Sequence, residues 1–239
     1  MAAPNYSILP VEEADLPFLA KFVHASKLRL SINRLLFEDW PNETIQMKMY
    51  TDAVTSVFKD PNTECFKAVD TDSNEIIGYF VLARKRPAQK LPEYELGANP
   101  DQETPEGLNP SLFAEVMTAS AEIAKATENM DFFRRSWEFN KLMRGCNILI
   151  LKIDLIYICV EPRVQRHGVG AKLVQLGFDR AKAENIPFAL GAEAPSHGFY
   201  VKLGFKETTH ADIDLAKYAS AHSGFGVFRL NGMIWYPHH

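Results

Sequence analysis

The sequence predicts a mixed α/β fold, a mostly antiparallel central sheet flanked by helices. Three observations predict it. Short β-branched and aliphatic blocks alternate along the chain with stretches whose apolar residues recur at helical spacing. Most of the strand-like blocks are five to seven residues long, suited to a sheet covered by helices. Hairpin signals interrupt the alternation, which argues against a purely parallel sheet.

Tyr6–Pro10 is strand-like, and Leu16, Leu19, Ala20 and Val23 then share a helical face behind Glu13-Ala14-Asp15, where either acid suits a cap. Pro41-Asn42 opens a second helix in which Ile45, Met49, Ala53 and Val57 form one face, and Asp60-Pro61 stops it. Cys65–Val69 and Ile76–Leu82 flank the polar run Asp70–Glu75 as a hairpin. From Arg86 to Pro110, five prolines among polar residues (Pro87, Pro92, Pro100, Pro105 and Pro110) predict a long loop. Ser111 then caps a helix through about Thr127, and Asn129 or Asp131 starts another through Met143, ended by Gly145. This loop and helix pair reads as an insertion at about 86–147 in a single domain spanning 1–239. Ile148–Val160 has the composition of a buried central strand, followed by a helix over Gln165–Glu184 and a strand at Phe188–Ala192. A short helix at Ser196–Leu203 and strands at Phe205–Thr209 and Val227–Leu230 complete the chain.

Composition narrows the function. With 239 residues, 46% hydrophobic and 23% charged, the chain can bury one sizeable core. A net charge of -4 with no basic stripe argues against nucleic acid as a partner. The longest apolar runs, Ile148–Leu151 and Leu155–Val160, fall far short of the ~20 residues that cross a bilayer, so no membrane partner is expected. The first residues lack the basic start and apolar stretch of a signal peptide, which predicts a cytoplasmic or nuclear location. The three cysteines, Cys65, Cys146 and Cys159, are far apart and not grouped with histidines, so they read as free thiols with no metal site.

Chemistry concentrates where the central strand meets the next helix, at Val160-Glu161-Pro162-Arg163-Val164-Gln165-Arg166-His167-Gly168-Val169-Gly170-Ala171-Lys172. A strand, a tight loop and a helix in that order aim main-chain N–H groups and a positive helix end at one spot, which suits an anion. Gly168 and Gly170 let a pyrophosphate approach the main chain closely, and Arg166 and His167 can add donors. The stretch lacks the Gly-Lys-Ser/Thr ending of a nucleoside triphosphate loop and the first glycine of the dinucleotide fingerprint.

These residues resemble the cofactor signature of the GNAT superfamily of N-acetyltransferases: Gln165, Gly168 and Gly170 behind a strand ending in Val160-x-Pro162. Tyr200-Val201-Lys202-Leu203-Gly204-Phe205 is similar to the family's closing motif, in the family's order. The combination of the early strand and helix, the hairpin and the closing stretch Gly224–Met233 is similar to small-molecule-type members of fungal origin. The resemblance covers Leu155–Phe205 well, Tyr6–Leu82 loosely and Arg86–Asn147 poorly.

The resemblance implies a GNAT-like sheet whose central strands splay to admit acetyl-CoA as co-substrate, with no metal. The main chain of Ile158 and Val160, beside Cys159, would hold the thioester end. Gln165, Arg166, His167, Gly168, Val169, Gly170 and Ala171 would hold the pyrophosphate. Ser196 either contacts the pantetheine or caps its helix. Tyr200 matches the tyrosine that protonates the leaving thiolate, with a buried aromatic as the plainer role. Asp154 shares side-chain parity with Ile156 and Ile158, and Glu193 follows the next strand near the gap, so either could take the amine's proton. Asp154 could instead bind the amine, and Glu193 could be a solvated strand end. The implied activity is transfer of an acetyl group to a primary amine by direct attack in a ternary complex. The insertion, with Phe113, Phe132, Phe133 and Trp137, would cover the acceptor groove and favour a small molecule. A binding-only acyl-CoA module, a protein N-acetyltransferase and transfer of a longer acyl chain are the alternatives.

Overall fold

The computed structural model describes residues 5–85, 104–127 and 152–237. The elements are β1 (Tyr6–Pro10), α1 (Leu16–Lys27), α2 (Asn33–Leu36), α3 (Thr44–Lys59), β2 (Thr63–Asp70), β3 (Ile76–Lys85) and α4 (Pro110–Ala126). They continue with β4 (Lys152–Val160), α5 (Val169–Glu184), β5 (Phe188–Glu193), α6 (Ala194–Lys202), β6 (Lys206–Asp214) and β7 (Val227–Trp235). The seven strands form one sheet in the order β1-β2-β3-β4-β5-β7-β6. Neighbours run antiparallel except β4 and β5, which are parallel. This is the mixed, mostly antiparallel sheet that the sequence predicts.

Helices cover both faces. On one, α5 and α6 pack against Phe80, Leu82, Ile153, Leu155 and Phe188. On the other, α1 and α3 cover Tyr79, Val81 and Cys159, while α4 covers the β6 side through Leu112, Ala119, Ile123 and Ile213. His24 and Gln46, both buried, join α1 to α3 by a 3.1 Å hydrogen bond, and Gln46 also donates to the Asn42 carbonyl at 2.8 Å. A Lys67–Asp15 ion pair at 2.6 Å ties β2 to the start of α1.

An irregularity in β4 sets up everything that follows. Leu155 stands opposite Leu82 and Tyr157 opposite Val81, so Ile156 is an extra residue bulged out of the ladder. Ahead of the bulge, Ile153 and Leu155 face α5. Beyond it, Ile158 and Val160 take that face, and Tyr157 and Cys159 face α1.

Several predicted details change. The second helix buries Gln46, Tyr50 and Val54, leaving Ile45, Met49, Ala53 and Val57 half-buried. The inward line is shifted by one residue because Gln46, with its hydrogen bonds satisfied, tolerates the interior. Asn109, not Ser111, caps α4, accepting from Leu112 N at 3.2 Å with Pro110 in the first turn. The α1 start carries no side-chain cap; Asp15 instead accepts from Glu12 N at 2.8 Å in the preceding 3-10 turn. β7 runs on through Asn231-Gly232 to Trp235, because Asn231 bonds to the Ala192 carbonyl at 3.1 Å and Gly232 lets Ile123 and Thr208 come close. The helix predicted from Asn129 or Asp131 to Met143, with Phe132, Phe133 and Trp137, lies outside the described residues, as do Cys146, Ile148–Leu151 of the predicted strand and most of the predicted loop.

α5 is seated by a glycine: a Cβ at Gly177 would lie 2.3 Å from the Phe188 ring, which is fully buried. Gly177→Ala is therefore expected to lower stability by about 1–3 kcal/mol through overpacking, against the usual gain of replacing a helical glycine. Gly198→Ala in α6, where no atom lies within 4 Å, is the control and is expected to be neutral or stabilising. Urea midpoints of the two variants compare the effects.

Candidate active site

Parallel pairing of β4 with β5 covers Ile153–Leu155 against Phe188–Leu190 and goes no further. Past Leu155 the two strands part, and the edge of β4 from Ile156 to Val160 faces a gap. Which main-chain groups point there follows from two hydrogen bonds. Ile153 N donates toward β5, to the Pro187 carbonyl at 2.8 Å, whereas Glu161 N donates toward β3, to the Ile77 carbonyl at 2.9 Å. Residues two apart on a strand use the same edge, so residues 153 and 161 would agree in a regular strand. The bulged Ile156 reverses the alternation, and Ile158 and Val160 present their main chain to the gap. The Val160 carbonyl accepts from Gln165 Nε2 at 2.9 Å.

A cavity of about 110 Å³ sits in this gap. Leu155, Ile158, Cys159 and Gly191 line it from the sheet, Tyr200 from α6, and Ser26, Lys27 and Leu30 from the end of α1. Glu193, the last residue of β5, reaches Lys27 Nζ at 2.6 Å across it; the side chains are 25% and 31% exposed. Burial disfavours the Lys27 ammonium, but the Glu193 carboxylate more than offsets this and leaves the pKa raised, so Lys27 is charged. Tyr200 is 4% exposed, and burial, followed by the nearby Glu193 charge, pushes its phenol up, so it stays protonated. The same turn supplies both groups. Glu193 is the N-cap residue of α6, and Ser196 closes the turn by donating to the Glu193 carbonyl at 2.9 Å.

The glycine loop stands at the mouth of the gap. Pro162–Val164 makes a 3-10 turn, Arg166 has φ 66° and Gly168, the residue before α5, has φ 87°. A Cβ on Gly168 would meet nothing within 4 Å, so backbone geometry rather than lack of space selects glycine there. The first intrahelical bond is Lys172 N to the Gly168 carbonyl at 2.9 Å. The N–H groups of Val169, Gly170 and Ala171 therefore have no partner within the helix and add to its positive end. His167 Nδ1 lies 3.0 Å from the Gln165 carbonyl, so that ring is engaged with its own loop.

The structure brings together most of the predicted residues and sets one apart. Glu193, Tyr200, Ile158 and Cys159 line the cavity, with Val160 and the loop Gln165–Ala171 adjoining it. Asp154 does not line it. Its shared parity with Ile158 fails because the bulge lies between them, and its carboxylate instead pairs with Lys152 at 3.2 Å on the α4 side. There Lys152 also donates to Thr127 Oγ1 at 2.8 Å. Burial raises the Asp154 pKa despite that partner. Cys159 is buried, with its thiol pushed up by desolvation, as fits a small hydrophobe. Phe113 packs with the apolar cluster under α1 and α3 rather than in the cavity. Sequence reasoning missed Lys27 and Tyr157. Lys27 ends a helix and pairs across 166 positions, and nothing in its neighbourhood marks it. Among the described residues there is no cluster able to hold a metal and no helix long and apolar enough to cross a membrane.

Comparison with known proteins agrees with this geometry. Residues 134–207 match the family model of the acetyltransferase (GNAT) domain. An uncharacterized N-acetyltransferase of Schizosaccharomyces pombe is 23% identical over 186 residues, 74% of this chain and 72% of its own length. Among solved structures, the mosquito arylalkylamine N-acetyltransferase like 5b aligns with a TM-score of 0.59 at 12% identity, over 97% of this chain and 100% of that one. The histone acetyltransferase HPA2 and related acetyltransferase from Corynebacterium glutamicum aligns with a TM-score of 0.56 at 14% identity, over 100% and 98%. At such identities the two structures establish a common fold. The matched segment holds the glycine loop and Tyr200, and the match to a GNAT acetyltransferase domain, together with the likeness to an N-acetyltransferase, supports an acyltransferase.

The different burial of the two described cysteines is open to test. Cys65 is half-buried on β2 and Cys159 is 4% exposed on β4. Iodoacetamide labelling of the native protein, followed peptide by peptide, is expected to modify Cys65 roughly tenfold or more faster than Cys159.

Proposed function

We propose that the protein transfers the acetyl group of acetyl-CoA to a small primary amine by direct attack in a ternary complex. One observation carries this reading: a carboxylate (Glu193), a protonated phenol (Tyr200) and the free main-chain edge of β4 meet at one cavity beside a helix N-terminus. The loop Gln165–Ala171 suits a pyrophosphate, since it offers N–H groups with no partner within the helix, a positive helix end and, among the described residues, open space at Gly168. Ile158 and Val160 offer main-chain groups along which the pantetheine arm can lie as an added strand.

Glu193 takes a proton from the ammonium of the acceptor, and the freed lone pair forms the C–N bond at the thioester carbonyl. As the C–S bond breaks, Tyr200 gives its phenolic proton to the departing thiolate. The second proton shed by the acylated nitrogen restores the phenol, so the turnover releases one proton in all. Burial suits Tyr200 to this task, because its phenol stays protonated until a stronger base appears beside it. Asp154, paired away from the gap, takes no part in this scheme.

Support for a small acceptor comes from the second face of the sheet. α4 lies over β5 and β7, with Ile123 beside Gly191 and Gly232, and the end of α1 closes the other flank with Ser26 and Leu30. A cavity of about 110 Å³ flanked by the end of α1 suits a compact amine better than an extended peptide. We further propose that the chain acts as one catalytic domain, the loop and helices at about 86–147 being an insertion that shapes the acceptor side.

Gly168→Glu places a carboxylate and a strained backbone where the pyrophosphate belongs, and calorimetry is expected to register loss of CoA affinity. Undiminished affinity would move the cofactor site elsewhere. Tyr200→Phe removes one hydroxyl and is expected to lower turnover by about 10²–10⁴-fold with CoA affinity retained. Thiol release from acetyl-CoA across a broad amine panel reads that loss, and it also separates an enzyme from a module that binds without turnover.

A further inference from the structure

Among the described residues that line the cavity, Lys27 and Glu193 are the charged ones, and they hold each other at 2.6 Å. A base facing an incoming ammonium has no need of a fixed positive charge beside it. Lys27 repels that ammonium, and two cations sharing one carboxylate in a half-desolvated site leave a charge uncompensated. Yet Lys27 is placed with care. The buried His24–Gln46 bond fixes α1 one turn before it, and Asn33 Nδ2 donates to the Lys27 carbonyl at 2.5 Å. Its role becomes intelligible if the acceptor brings a negative charge of its own.

We propose that the acceptor is a free α-amino acid, its carboxylate bound by Lys27 and its amine presented to Glu193. This rests on the acetyl-transfer reading above and narrows it to a substrate class. The spacing supports it. By standard bond lengths and angles the nitrogen and the nearer carboxylate oxygen of an α-amino acid lie roughly 2.7 Å apart. That matches the 2.6 Å between Lys27 Nζ and Glu193 Oε1, so substrate and ion pair can lie head to tail, each charge facing its opposite. The existing pair need not break. An amine without a carboxylate, or with one several bonds away, cannot complete this four-charge arrangement. Neither can a peptide N-terminus, whose α-carboxylate is consumed in the peptide bond. Leu30, Leu155 and Tyr157 then border the space left for the side chain. The reaction is unchanged: Glu193 takes the amine proton, the C–N bond forms, the C–S bond breaks, and the products are an N-acetyl-amino acid, CoA and one proton.

The test measures thiol release at saturating acetyl-CoA for amino acids offered in three forms: free acid, carboxamide and decarboxylated amine. 4-Aminobutyrate is added as a widely spaced zwitterion. kcat/KM is followed across pH for each form, so that differences in amine basicity are read from the profiles. The free α-acids are expected to exceed the other forms by about tenfold or more. Lys27→Met is expected to erase that preference, chiefly through KM, and Lys27→Arg to keep most of it. Equal kcat/KM for the three forms of wild type overturns the proposal, as does a preference that survives in Lys27→Met. If Lys27→Met does not fold, as judged by its melting curve and CoA affinity, the wild-type comparison alone decides. Turnover of simple amines without preference removes this inference and leaves acetyl transfer standing. Binding of acetyl-CoA with turnover of no form removes both.

Discussion

One extra residue in a strand governs the site. Without the bulge at Ile156, the edge of β4 that bonds to β5 through Ile153 would keep the same parity to Glu161. Ile158 and Val160 would then turn their main chain toward β3, and Tyr157 and Cys159 would take their places at the gap. The bulge also adds local twist, and strand pairing between β4 and β5 ends at the residue just before it. A parallel pair is the natural place for such a parting. Its strands are not joined by a tight turn, so they can diverge without straining a hairpin.

The surrounding packing keeps the gap from closing. β3 pairs with β4 on both sides of the bulge, and β7 pairs with β5 along its whole length through Glu193. Each lip of the gap is thus held by an antiparallel neighbour. The buried Asn231 clamps the Ala192 carbonyl and fixes the end of β5 from which Glu193 projects. α5 spans the split from one side, seated on Phe188 through Gly177 and on β3 through Leu173, which approaches Gly78. Its N-terminus is thereby carried to the mouth of the gap. The aromatic group Phe178, Phe188, Phe205 and Trp235 makes that seating rigid, with ring centroids 4.6–5.8 Å apart.

What the sequence could reveal depended on how local the determinant is. The loop Gln165–Ala171 was legible because glycine at positive φ and a following helix are encoded within a few residues. Tyr200 was legible because it lies at a fixed distance from Gly204-Phe205. The role expected of Asp154 depended on counting by twos along β4, and a single bulge defeats such a count. Nothing in the residues Leu155-Ile156-Tyr157 announces it, since the bulge arises from the register with β3. The inward face of α3 was misjudged by one residue because a buried glutamine is acceptable only when a histidine from another helix meets it. Lys27 was invisible for the same reason on a larger scale, its partner being 166 positions away.

The layout divides the labour between the two faces of the sheet. Glu193 and Tyr200 belong to one short stretch, the strand end and the helix that it caps, so their mutual position is fixed by a single turn and one strand pairing. Lys27 reaches the same cavity from α1 on the opposite face, held by contacts with α2 and α3 that involve neither the glycine loop nor α6. Under the proposed scheme, changes in α1 and its neighbours alter which acceptor is recognised while proton transfer and cofactor geometry stay in place. Chemistry common to a family and selectivity particular to one member can coexist on such a sheet because largely separate elements carry them.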